Sequence, residues 1–225
     1  MTIPTATEPA PMPHPNDDGD FAAARQAPVD YQATVDRVRE DPRVSDLGKA
    51  ERIAEAYSAY ISAMDGAWER LQGRRQARHD WLAGQVPTGH GIAEDASPAD
   101  RAALMAAFRG HYDRASSMDM KGRAQMLDEA DRFGDEPARR AALTAIVENG
   151  EHHTTLRSRP DRYATVVAHL DELGALRGNS AARGFEWQTF RSQRVKQPRE
   201  IDQIPELQAA QEARHAAWRR AGQMR

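Results

Sequence analysis

Between positions 47 and 71 the apolar residues Leu47, Ala50, Ala54, Tyr57, Ile61, Met64, Trp68 and Leu71 recur at steps of three and four without a break. Such a period, held over about four heptads, predicts a long helix with one packing face. With Leu47 at position a and Ala50 at d, the g positions Ile53, Tyr60 and Ala67 are also apolar, whereas the e positions Glu51, Ser58, Asp65 and Gln72 are polar. The stripe is broad and lopsided. That fits a helix packed in a bundle better than a two-stranded zipper, which carries charge on both flanks. The expected packing or interface residues are Leu47, Ile53, Tyr57, Tyr60, Ile61, Met64, Trp68 and Leu71. Their neighbours are either the chain's own helices or other subunits. The same register puts Arg75 and Arg78 where apolar knobs belong, so the seam is expected to end at Leu71, with helix persisting to Ala83.

Residues 1–28 hold six prolines and the acidic run Asn16, Asp17, Asp18, Gly19, Asp20, which predicts a disordered tail. Tyr31, Val35 and Val38 share the face of a short helix that stops before Pro42, and Ser45 is placed to cap the long one. The glycines and proline of residues 84–96 predict a linker. Residues 97–178 then read as a compact bundle of about four helices. Its first is capped by Ser97 with Pro98 at the first position and carries Leu104, Met105, Phe108 and Tyr112 on one face. Ser117 is the expected cap of the next, whose face is Met120, Ala124, Leu127 and Ala130 or Asp131. Asp135 caps a third with Leu143, Ile146 and Val147 inside and Gly150 after its end, and a fourth starts near Pro160. Residues 179–225 form a basic, aromatic-bearing arm ending in a helix. The predicted fold class is all-α: a long heptad-patterned helix, a compact bundle of short helices and a disordered Pro-rich N-terminal tail.

Composition narrows the chemistry. The absence of cysteine removes disulfides, thiolate metal sites and cysteine nucleophiles together. A hydrophobic content of 40% with only 6% aromatics predicts a modest core under a charged surface. No apolar run approaches the length of a membrane span, and the N-terminus has neither the basic nor the apolar region of a secretory signal, so a cytoplasmic protein is expected.

Asn16, Asp18 and Asp20 alternate as in a calcium loop, but Phe21 stands where the sharp turn needs glycine, so the run reads as solvated tail. His152 and His153 are adjacent, adjacent helical residues point apart, and no spaced third ligand follows, so they read as a polar loop. Gly89, His90 and Gly91 lack the strand and helix of a phosphate loop. No Ser, His and Asp arrangement is marked out by spacing, and no cofactor, metal or catalytic residue is expected. Two surfaces remain. Arg70, Arg74, Arg75 and Arg78 make one side of the long helix's end basic and are candidate phosphate contacts. Phe185, Trp187 and Phe190, set among arginines, are a candidate docking arm, with packing back onto the bundle as the competing reading.

At DPRVSDLGKAERIAEAYSAY (residues 41–60) and MLDEADRFGDEPARRAALTAIVENG (126–150) the chain resembles small helical proteins encoded among the virion structure and assembly genes of actinobacterial phages and prophages. The resemblance carries no catalytic residues. It implies a non-enzymatic virion or assembly component, working through helix packing and flexible ends. The expected function is thus a helical structural or assembly protein acting through protein–protein contacts, by self-association or within a larger assembly. The alternative is a nucleic-acid-binding regulator using Arg70 to Arg78.

Overall fold

Asp18 starts the first helix. Its carboxylate accepts from the amides of Asp20 (2.8 Å) and Phe21 (3.4 Å), satisfying two of the donors that a helix leaves open at its N-terminus. The helix, α1 (Gly19–Glu40), runs through Pro28. In the computed structural model the described residues are 7–177, 185–186, 188–192 and 195–223, with the side chains of 191, 192, 222 and 223 left aside. Among them every regular element is helical: α2 (Asp46–Gln85), α3 (Pro98–Ser117), α4 (Met120–Phe133), α5 (Glu136–Glu148), the single turn α6 (His152–Thr155), α7 (Pro160–Arg177), a π-helical turn (Gln188–Ser192), α8 (Arg199–Asp202) and α9 (Ile204–Gln223). None is long and apolar enough to cross a membrane.

The chain sorts into two compact units. One comprises Ala10–Gln76 with the described residues after 184, and the other Ala77–Arg177 with those before Ala10. The division falls within α2, not at the linker expected over residues 84–96. That stretch lies inside the second unit and is tied to α5: Val86 is buried and the Gly89 amide donates to Thr144 Oγ1 at 2.8 Å.

In the first unit, α1 covers α2. Phe21, Ala24, Tyr31 and Val35 pack with Ile53, Tyr60, Met64, Ala67 and Leu71, and Phe190 joins them. Each large side chain so enclosed contributes about 1.5–3 kcal/mol. The expected disordered tail over residues 1–28 is therefore corrected for 19–28, which are helical. Burial of Phe21 and Ala24 and the Asp18 cap outweigh the cost of a proline inside a helix. Residues 1–6 lie outside the described residues.

The register of α2 differs from expectation as well. Ala50, Ile53, Tyr60, Met64, Ala67 and Leu71 are buried, whereas Leu47, Ala54, Tyr57 and Ile61 are only half-buried and Trp68 is 38% exposed. The face centres on the d and g positions instead of a and d, because α1 lies along the g side. Tyr31, Tyr57 and Tyr60 meet there with ring centroids 5.3–6.2 Å apart.

In the second unit local signals set the helix ends. Ser97 caps α3, with Pro98 opening it; Asp135 caps α5, with Pro137 in its first turn. Gly134 (φ 69°) and Gly150 (φ 68°) take the left-handed conformation that ends α4 and α5, which glycine adopts without a Cβ penalty. The cap of α4 is Asp119, not the expected Ser117: Asp119 accepts from the Gly122 amide at 2.8 Å, while Ser117 Oγ bonds back to Arg114 O within α3. Leu82, Leu127, Leu143, Ile146, Leu156 and Tyr163 form the core. The inward side of α4 is Arg123, Met126, Leu127 and Ala130, and Met120 is exposed. On α3 only Ala115 is buried; Met105, Phe108 and Tyr112 are half-buried and Leu104 is exposed. The buried Arg123 grips Glu151 through both carboxylate oxygens and donates to the carbonyls of Ala115 and Met118, joining the ends of α3, α4 and α5.

The shift of register has a direct consequence. Ile53→Ala is expected to cost about 2–5 kcal/mol, the range for emptying an enclosed site, and Ile61→Ala clearly less. Urea unfolding followed by circular dichroism measures both, and the reverse order would contradict this packing.

Candidate functional site

Arg70, Arg74 and Arg78 stand at steps of four along α2, with Arg75 next to Arg74 in sequence. Each meets a carboxylate. In the first unit Arg70 Nε donates to Asp20 Oδ1 at 2.8 Å, and Arg74 Nη2 donates to Asp18 Oδ2 at 2.8 Å and Asp20 Oδ2 at 2.7 Å. Asp18 is 1% and Asp20 9% exposed, so these two acids of the run expected to be solvated tail are buried and paired. Arg75 holds Glu186 with both terminal nitrogens, Nη1 to Oε2 at 2.8 Å.

In the second unit Arg78, 4% exposed, grips Glu172 of α7 in a fork, Nε to Oε1 and Nη2 to Oε2, both 2.7 Å. Its Nη1 reaches Glu8 Oε1 (2.8 Å) and Pro9 O (2.7 Å), and its guanidinium lies 4.8 Å from the centre of the Trp81 ring. The hydrogen bond from Arg78 holds the Glu172 carboxyl below its ordinary range. The four candidate phosphate contacts are thus engaged with this chain's own acids. A phosphate would have to displace charge-assisted bonds already made, and the reading of them as a nucleic-acid surface has no support in the geometry.

In the candidate docking arm, Phe190 fits the competing reading of packing back onto the chain. Phe190 is buried, edge-on to Phe21 at 5.2 Å and 5.2 Å from Trp68; Phe185 stacks on Phe21 at 5.8 Å while keeping 42% exposure. Trp187 lies outside the described residues. Farther on, Val195 is pinned by two tyrosines, its amide donating to Tyr60 Oη (3.2 Å) and its carbonyl accepting from Tyr57 Oη (3.4 Å). Burial of Phe190 ties it to the unit's core. Ion pairs add to it on either side, Arg75 with Glu186 and Arg39 with Glu200.

Neither histidine of the adjacent pair behaves as the spacing suggested. The single turn α6 follows the left-handed Gly150 and brings the rings of His152 and His153 to 4.2 Å. Asp171 reaches them from α7, its Oδ1 3.4 Å from His153 Nε2. Burial, reinforced by the neighbouring His153, lowers the His152 pKa. The three line a cleft of about 580 Å³ in the second unit, walled by Val86, Val147, Leu170 and Leu173, with Arg177 at its edge. Asp171 was missed because it comes from a different helix; the signal present in the chain was the histidine pair alone.

No known protein family matches the chain, and no curated protein or solved structure is similar to it.

Arg74→Met should destabilise the first unit by about 3 kcal/mol, as expected when a buried charge loses its partner, with the partly exposed Arg74 placing it at the low end. Equilibrium unfolding reads the loss. Glu172 and Asp128 both have lowered pKa values, held down by hydrogen bonds from Arg78 and Arg159. Their contribution is therefore complete above the ordinary carboxylate range, 4.5 for Glu172, and lost as pH falls through the lower folded values. The thermal midpoint should drop on acidification below that range, and Arg78→Met should flatten part of the dependence.

Proposed function

We propose that this chain is a non-enzymatic helical structural or assembly protein that acts through protein–protein contacts, and that α9 is the element through which it associates with a second copy of itself. The observation that carries the reading is α9. This 20-residue helix has no buried side chain among those described, and its Trp218 is 84% exposed. A helix of that length gains most of its stability from packing a face. Leu207, Ala210, Ala213, Ala217 and Ala221 fall on one side, small enough for close approach of another helix.

Charge supports a particular arrangement. Glu206 and Glu212 occupy the first half of α9, and Arg214, Arg219 and Arg220 the second. Two copies crossing antiparallel at Ala213 would set Glu206 opposite Arg220 and Glu212 opposite Arg214, twice each by the twofold axis. The heptad-spaced face of α2 serves packing inside its own chain in this reading. The setting we propose is the virion or assembly machinery of actinobacterial phages or prophages, in the virion or the host cytoplasm, which rests on the resemblance of residues 41–60 and 126–150.

Light scattering on the full chain is expected to give a concentration-dependent mass rising from 25.0 kDa toward twice that value. The pair Arg214→Glu and Arg220→Glu should hold the protein at the monomer mass. Mixing it with the Glu206→Arg and Glu212→Arg pair should restore association. A monomer at every concentration, or reversed variants that associate as well as the parent, would overturn the reading.

A further inference from the structure

We propose that His152, His153 and Asp171 bind a divalent first-row transition ion of the Zn²⁺ class, clipping the α6 turn to α7. The donor atoms of all three lie within 4.8 Å of one another. In a tetrahedral site with bonds of about 2.0–2.1 Å, donors stand roughly 3.3 Å apart. His153 Nε2 and Asp171 Oδ1, at 3.4 Å, already have that separation. The remaining distances close by rotation of the His153 side chain, which is 51% exposed.

The donor set selects the ion. Two imidazoles and one carboxylate suit Zn²⁺, Co²⁺, Ni²⁺ or Cu²⁺, whereas Mg²⁺ and Ca²⁺ prefer oxygen ligands. His152 Nδ1 is buried and has no hydrogen-bond partner, so part of the pair's polar capacity is unspent in the protein. Asp171 is shared, because Arg157 Nη2 donates to its Oδ2 at 3.1 Å. That bond orients the carboxylate and leaves Oδ1 on the histidine side, as a ligand's supporting hydrogen bond does. The cleft supplies a path for the ion and room for a water in the fourth position. The competing account is a plain His153–Asp171 ion pair, which needs neither His152 nor a metal.

Isothermal titration of Zn²⁺ into the full, chelator-treated chain tests the site, with Mg²⁺ titrated in parallel and thermal unfolding recorded with and without Zn²⁺. The expected result is one saturable equivalent of Zn²⁺, no Mg²⁺ binding and a raised unfolding midpoint. His152→Gln and Asp171→Asn should each weaken Zn²⁺ binding at least about tenfold, whereas the His79→Gln and His90→Gln double variant should bind as the parent does. Far-ultraviolet circular dichroism of each metal-free variant confirms that it is folded. Should His152→Gln fail that check, Asp171→Asn and His153→Gln carry the same comparison. No saturable Zn²⁺ binding, or binding that survives loss of the site residues, would overturn the proposal.

Discussion

Removing a carboxylate from water costs several kcal/mol unless a cation and hydrogen bonds accompany it. Asp18, almost wholly enclosed, receives both: two backbone amides of α1 and the guanidinium of Arg74. Most of the first unit's order depends on this accommodation. The cap starts α1 where it does, the early start puts Phe21 and Ala24 over α2, and Phe21 then provides the surface on which Phe185 and Phe190 pack. Ion pairing contributes little net stability at such a site. Its effect is to specify which segment docks and in what register, since any slip would leave Asp18 or Asp20 enclosed without a partner.

Arginine at these positions of α2 also explains where the apolar seam stops. After Leu71 come Arg74, Arg75 and Arg78, and each pairs with an acid from elsewhere in its own unit. Lysine would not serve equally. The fork that Arg78 makes to Glu172 uses two parallel donors, and the same plane lies against Trp81. One residue type thus joins three kinds of contact, which allows a chain with few aromatics to seal its cores with charged groups.

How much of this was legible depended on the range of the signal. Ser97 with Pro98, Asp135 and Gly150 mark helix ends through bonds to residues at most a few positions away, and those boundaries could be read directly. The long helix was legible as an element. Its buried side was not, because a stripe apolar at a, d and g can turn either flank inward until a neighbour is placed. Asp18 meets Arg74 across 56 positions and Arg78 meets Glu172 across 94, separations over which no local pattern survives. The same limit hid Asp171 from the histidine pair. An acidic, proline-rich stretch looked like tail because its compensating charges lie so far away in the chain.

Pro28 divides α1 in a way that bears on motion. Lacking an amide hydrogen, it cannot bond to the carbonyl of Ala24, so the helix ladder has a missing rung between Phe21 with Ala24 on one side and Tyr31 with Val35 on the other. Opening need not propagate past a missing rung. The first half of α1 can therefore lift as a separate cooperative segment, restrained by the Asp18 and Asp20 ion pairs and by Phe21, while Tyr31 and Val35 keep the second half in place. Salt, which weakens the partly exposed Arg70 and Arg74 contacts, would loosen the restraint on that segment.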